Sequence, residues 1–213
     1  MTLRIVNLGL PKTGTTTLAR ALRRAGLHVA DHRIRPRQSK DKSLHDAYVG
    51  DLLYKGFFET GNPAYFLEPF DAITEMSVLR EDMSIWPQMD FAIIDALRRH
   101  NPKIKFLGSN RDHFALSQSM LAWSNLGTER LPNGVIPGLP QGYGSTTKER
   151  EQWIQGHYAH LRAIFHHDET FLEYDIADSD VRRRLEGFLG IPLPWWGRAN
   201  TNPLNRKSRK APS

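Results

Sequence analysis

Apolar and polar positions alternate along the chain in a strand-then-helix rhythm. Residues 3–8, Leu-Arg-Ile-Val-Asn-Leu, read as a buried strand. Residues 18–25 follow with Leu18, Leu22 and Ala25 on one helical face. Gly26 marks a helix stop, and the stretch through Val29 to His32 predicts a short second strand. Residues 43–58 are mixed and predict a helix, broken at Gly61-Asn62-Pro63. A third strand is expected over 70–74, ending at Glu75, with Asp71 structural if it lies within the strand. Residues 87–100 place Met89, Ile93, Ile94 and Leu97 at helical spacing, and Asn101-Pro102 ends that helix. Residues 104–109 predict a fourth strand. Arg111 follows it, and Asp112 is placed to cap a helix running to about residue 125.

Residues 127–145 are rich in glycine and proline and form the longest run with no predicted element, the kind of loop that often serves as a lid or substrate wall. Thr146 or Thr147 caps the next helix, with Glu149 and Glu151 in its first turn. Its stripe is Trp153, Ile154, Tyr158, Leu161, Ile164 and Phe165. His157 falls on the same stripe and reads as a satisfied core or cleft residue. A fifth strand over 170–174 and a helix over 180–189, stopped by Gly190 and Pro192, complete the pattern.

Five strands alternating with helices imply an α/β protein of three layers. Its centre is a five-stranded, mainly parallel sheet with helices on both faces. Ligands in such folds sit at the carboxyl ends of the strands. The residues to inspect are therefore Lys12, His32, Glu75, Arg111 and Tyr174. A length of 213 residues suits one domain, 1–213, with about 206–213 expected to be a flexible basic tail.

Composition narrows the chemistry. With no cysteine there is no disulfide, thiolate zinc site or thiol nucleophile. The start of the chain enters the first strand without signal-peptide shape, and no apolar run reaches membrane-spanning length, so the expected home is the cytoplasm. The net charge of +6 admits a nucleic-acid or multiply charged partner. No aromatic-interleaved basic stripe of the single-strand-binding kind is present, so a nucleic-acid partner is not expected. In His166-His167-Asp168, neighbouring helical residues point apart, which argues for a solvated helix end and against a metal site. Trp195-Trp196 can stack on a sugar or aromatic ring, but reads first as a packed apolar staple.

Between the first strand and first helix lies Gly9-Leu10-Pro11-Lys12-Thr13-Gly14-Thr15-Thr16-Thr17. A glycine loop opening a helix gathers backbone N–H groups and the positive end of a helix dipole at one spot, a site for an anion. The glycine spacing is that of a nucleotide-binding P-loop, but Thr15 stands where the lysine belongs and the only lysine is Lys12. Magnesium–ATP chemistry is disfavoured. The alternative is a plain glycine turn. A second anion signal is Arg111 at the end of the fourth strand with Ser119 eight residues on, just over two helical turns. Arg111 is also placed to pair with Asp112.

These residues resemble the sulfotransferases that use 3′-phosphoadenosine-5′-phosphosulfate (PAPS). Pro11-Lys12-Thr13-Gly14-Thr15-Thr16 matches their 5′-phosphosulfate loop, and Arg111 with Ser119 matches their 3′-phosphate motif. Phe171-Leu172-Glu173-Tyr174-Asp175 and Phe188-Leu189-Gly190-Ile191-Pro192 extend the similarity to about residue 194. Two features depart from the family. Thr17 stands where many members carry a tryptophan on the adenine, and the Arg-Lys-Gly segment near the C-terminus is absent, with Arg206-Lys207 as its only counterpart.

The resemblance implies in-line transfer of a sulfuryl group from PAPS to a hydroxyl or amine of a small-molecule or carbohydrate acceptor, leaving adenosine 3′,5′-bisphosphate (PAP). Lys12 would stabilise the leaving phosphate. The backbone of residues 13–17 (Thr13, Gly14, Thr15, Thr16, Thr17), with the Thr15 and Thr16 hydroxyls, would hold the 5′-phosphate. Arg111 and Ser119 would fix the 3′-phosphate, and no metal would be required. Glu75 stands where the family carries its base, with His32 and His113 as runners-up; otherwise Glu75 pairs with Lys12 or Arg80 and only holds the loop. The competing readings are a P-loop small-molecule kinase using ATP and a non-catalytic nucleotide-binding protein of the same fold.

Overall fold

The computed structural model describes residues 3–199. The expected tail and Arg206-Lys207 lie outside the described residues. Five strands make one parallel sheet: β1 (Ile5–Asn7), β2 (Val29–Asp31), β3 (Ala72–Glu75), β6 (Lys105–Asn110) and β7 (Phe171–Asp175). Their order is β2-β3-β1-β6-β7, and every neighbouring pair is parallel. A separate antiparallel hairpin, β4 (Val78–Arg80) with β5 (Met83–Ile85), pairs Val78 with Ile85 and Arg80 with Met83.

The strands alternate their side chains between two cores, as a period of two requires. Val6, Ala30, Ile73 and Phe106 face one side. There they meet α2 (Val49–Thr60), α3 (Phe91–His100), α4 (His113–Leu121) and α6 (Thr147–Ile164). Ile5, Val29, Ala72 and Leu107 face the other side, against α1 (Thr15–Arg24) and α7 (Val181–Leu189). The inner strands β3, β1 and β6 are covered on both faces, which explains why apolar residues follow one another along them.

The helix ends follow local chemistry. Asp112 caps α4 by accepting from the Ala115 amide at 2.8 Å. Thr146 and Glu149 form a capping box at the start of α6. Gly190 ends α7 in the left-handed region, φ 70°. Trp195 and Trp196 pack on the second core: Trp195 lies under Arg20 and Arg24, and Trp196 meets Tyr174 edge-on. The staple reading of this pair is the observed one.

Three expectations need correction. Residues 43–58 are not one helix, because a 3₁₀ turn at Lys42–Leu44 precedes α2. Residues 127–145 are not structureless. A π turn at Leu126–Arg130 runs into the single helical turn α5 (Leu131–Asn133), and Ile136 bridges Leu139. The rest of that loop is fastened by Arg150 of α6, which is only 1% exposed. Its guanidinium donates to the carbonyls of Gly144 and Ser145 at 2.7 and 2.8 Å and to the hydroxyls of Ser117 and Thr147. A buried cation with its donors satisfied in this way fixes the loop to α4 and α6. Finally, the rings of His166 and His167 do not point apart but stand 3.9 Å from one another, because His167 has left the helix at φ 57°. Asp168 is engaged by Arg98 and Thr170.

Candidate active site

The loop between β1 and α1 sits at the carboxyl edge of the central strand, with β3 and β6 on either side. Asn7, a buried polar residue at the end of β1, holds this edge together. Its side chain donates to the Thr74 carbonyl of β3 at 3.0 Å and accepts from the Ser109 amide of β6 at 3.1 Å. Gly9 passes so close to β6 that an added Cβ would lie 2.1 Å from the Ser109 hydroxyl and 2.4 Å from its carbonyl, so only glycine fits. Tyr158 of α6 closes the loop from below. Its hydroxyl donates to the Ser109 carbonyl at 2.6 Å and accepts from the Leu10 amide. His157 donates from Nε2 to the Leu8 carbonyl at 2.9 Å, and burial lowers its pKa to about 4. It is therefore a neutral core residue beneath the loop.

Lys12 and Gly14 both adopt left-handed backbone, φ 75° and 85°. For lysine this conformation costs about 1–2 kcal/mol, and it turns the loop into a cradle. Gly14 is the N-cap of α1, offers no capping side chain, and no acidic residue lies in the first turn. The positive end of the helix dipole is left for an outside anion.

The threonines divide by role. The Thr13 hydroxyl is wholly buried, bonded to the Leu10 carbonyl at 2.6 Å and to Ser109 at 2.7 Å. Thr13 therefore braces the loop with its side chain. Thr15 is buried and its hydroxyl bonds to Glu75. Thr16 is exposed. The Thr17 hydroxyl accepts from the Ala199 amide at 3.2 Å, so the C-terminal stretch crosses the first turn of α1 beside the cradle.

Lys12 places its ammonium 3.4 Å from the ring centroid of Trp123, just beyond α4. Burial pulls its pKa from 10.5 to about 8, Arg111 pushes it the same way, and Glu75 opposes both. The lysine, the β6-end arginine and the β3-end glutamate thus share one electrostatic neighbourhood. Arg111 follows β6, where its amide donates to the Asn110 side chain at 2.8 Å, and Asn110 in turn donates to Glu173. Its guanidinium has no ion pair or hydrogen bond among the described residues, so the expected pairing with Asp112 does not form. Ser119 lies on α4, partly buried, with no side-chain bond to another described residue.

Glu75 forms no ion pair with Lys12 or Arg80. It accepts from the Ser77 hydroxyl at 2.5 Å and the Ser77 amide at 3.2 Å. Burial raises its carboxyl above the ordinary 4.5, and the Ser77 and Thr15 hydrogen bonds hold that rise back. His32 (φ 54°) stands next to it: its amide donates to the Glu75 carbonyl, and its Nδ1 lies 3.1 Å from the Ser77 carbonyl. Burial first, and Arg80 and Arg33 with it, lower the His32 pKa. His113 lies elsewhere, stacked on Tyr158 beneath the loop, and Tyr174 is buried in the second core. Neither belongs to the cluster.

Trp123, Ser77 and Asn7 escaped sequence reasoning. Asn7 left a signal, a polar residue inside a buried strand. Trp123 left none, because only the tertiary fold carries the end of α4 over Lys12.

No group of three or more histidines, aspartates or glutamates able to hold a metal ion occurs among the described residues, and no described helix is long and apolar enough to cross a membrane. No curated protein matches the chain closely enough to stand as a relative. A family model described as a sulfotransferase domain matches residues 4–205, nearly the whole chain and both halves of the cluster just described. The chain belongs to the sulfotransferase domain family.

Proposed function

We propose that the protein transfers a sulfuryl group from PAPS to a hydroxyl or amine of a small acceptor, releasing PAP. One observation carries the donor assignment. Lys12 and Arg111 share one electrostatic neighbourhood at the carboxyl edge of the sheet, and neither is ion-paired with an acidic side chain among the described residues. Two cations without an ion-pair partner, one in the helix-opening loop and one at the end of β6, suit a donor with phosphate at both the 5′ and 3′ positions. The 5′-phosphate would rest on the left-handed cradle at Lys12–Gly14 and the first turn of α1. Arg111 and Ser119 would take the 3′-phosphate and so discriminate against ATP.

In the reaction, the acceptor oxygen forms a new bond to sulfur while the bond from sulfur to the bridging phosphate oxygen breaks. Lys12 donates to the departing phosphate. Glu75 takes the acceptor proton, helped by a carboxyl pKa already above the ordinary range. Catalysis then rests on positioning and on fixed donors aimed at developing charge.

A pH profile tests these assignments. Glu75 must be ionised and Lys12 protonated, so kcat/KM should be bell-shaped. Its alkaline limb belongs near the Lys12 value of about 8, and its acid limb above 4.5. Glu75→Gln should lower kcat roughly 10²–10⁴-fold and remove the acid limb. PAP release from PAPS with a panel of phenols and alcohols provides the rate. An unchanged rate in Glu75→Gln would remove Glu75 as the base.

A further inference from the structure

The chain of side-chain contacts around Glu75 does not end at His32. Tyr48 meets the His32 ring edge-on at 5.3 Å, and the Arg80 guanidinium lies 5.4 Å from the Tyr48 ring centroid. Arg130, from the π turn, donates through Nη1 to the carbonyl of Leu79, the residue before Arg80, at 2.9 Å. The Arg130 Nε is buried and has no hydrogen-bond partner among the described residues. From Glu75 through Ser77, His32 and Tyr48, the contacts thus lead to two arginines brought together by the β4–β5 hairpin and the π turn.

We infer that the acceptor carries an oxyanion (a carboxylate, sulfate ester or phosphate ester) which Arg80 and Arg130 receive at the far end of the row of contacts that begins at Glu75; this rests on the sulfuryl-transfer reading above. No carboxylate lies within 4.0 Å of either guanidinium among the described residues. The acids nearby in sequence or along these contacts are engaged elsewhere: Glu129 accepts from Asn125, and Asp46 pairs with Arg33. Glu81 and Asp82 form the hairpin turn beyond Arg80 and make no ion pair with it. Burial and the Arg80 charge both lower the Arg130 pKa, and no acid offsets them.

Guanidinium forks match the flat, two-oxygen face of an oxyanion. The donor does not account for this pair, because its phosphates fall to Lys12 and Arg111. An anion at Arg80 and Arg130 would leave the acceptor's body against Tyr48 and its nucleophile toward Glu75.

Three phenols of one shape test the inference: 4-hydroxyphenylacetate, 4-ethylphenol and tyramine, which carry a negative, no and a positive charge. Each is titrated by calorimetry into the PAP-saturated protein, so that Lys12 and Arg111 are already engaged. We expect 4-hydroxyphenylacetate to bind about tenfold more tightly than 4-ethylphenol, and tyramine most weakly. Arg80→Gln and Arg130→Gln should each erase the difference, and Arg80→Glu should reverse it in favour of tyramine. Equal binding of the three phenols in the wild type, or a preference for the anion surviving in Arg80→Glu, would overturn the inference. PAP affinity is measured first in every variant. Failure of the wild type to bind PAP strikes the sulfuryl-transfer reading; PAP binding without charge preference strikes only the acceptor class.

Discussion

Lys12→Ala is expected to slow sulfuryl transfer roughly 10²–10³-fold, the range seen when one fixed donor to a developing oxyanion is removed. The loss should fall on kcat more than on KM, because the leaving phosphate gains most of its charge as the bond to sulfur breaks. Stability should move the other way or not at all. Lys12 holds φ 75° and its charge is partly desolvated against Trp123, so the lysine is a local burden on the fold. Lys12→Gly relieves the backbone strain and should unfold within about 1 kcal/mol of the wild type while being as inactive as the alanine variant.

The pH dependence separates the two roles of this residue. The unfolded chain binds the Lys12 proton up to about 10.5, the folded chain only to about 8. Between those values this residue makes stability rise with pH, while activity falls as the ammonium is lost. Parallel loss of both in thermal melts and rate assays would show that Lys12 is structural.

Arg111→Ala is expected to weaken PAP binding about 10²-fold, which corresponds to the loss of charge-assisted hydrogen bonds of roughly 2–3 kcal/mol. The same change should leave ATP affinity nearly unaltered, since ATP offers no 3′-phosphate. The backbone at this corner does not depend on the arginine side chain. Asn110 holds the Arg111 amide and bonds to Glu173, and Asp112 caps α4 independently. A variant with a wild-type melting temperature and reduced discrimination between PAP and ATP is therefore the expected result. Calorimetry with the two nucleotides measures it, and an unchanged ratio would release Arg111 from the 3′-phosphate.

The strand–helix rhythm was legible because the inner sheet strands are covered on both faces and each helix on one. Ile5 with Val6, Ala72 with Ile73 and Phe106 with Leu107 serve the two cores in turn. The cradle was legible for a local reason, as glycine spacing and a helix start leave few alternatives for the backbone. The hairpin at Val78–Ile85 was missed because its strands are three residues each and lie outside the main sheet. The loop over 127–145 was misread because its order comes from Arg150, a distant cation whose buried role no local pattern announces. Strand-end placement pointed to Lys12, Glu75, His32 and Arg111, which the fold brings near one another. It also proposed Tyr174, which the second core absorbs. The role of Thr13 was blurred for a similar reason: a loop hydroxyl can face an anion or brace the loop, and only the contact with Ser109 decides.

In the proposed reading, Lys12 with its loop and Arg111 with Ser119 form one clamp for a nucleotide phosphorylated at both the 5′ and 3′ positions. Calorimetric titration of the wild type with PAP and with ATP, each with and without magnesium, tests it most directly. PAP should bind at least about tenfold more tightly than ATP, and do so without magnesium. Equal affinities, or an ATP preference that depends on magnesium, would contradict it.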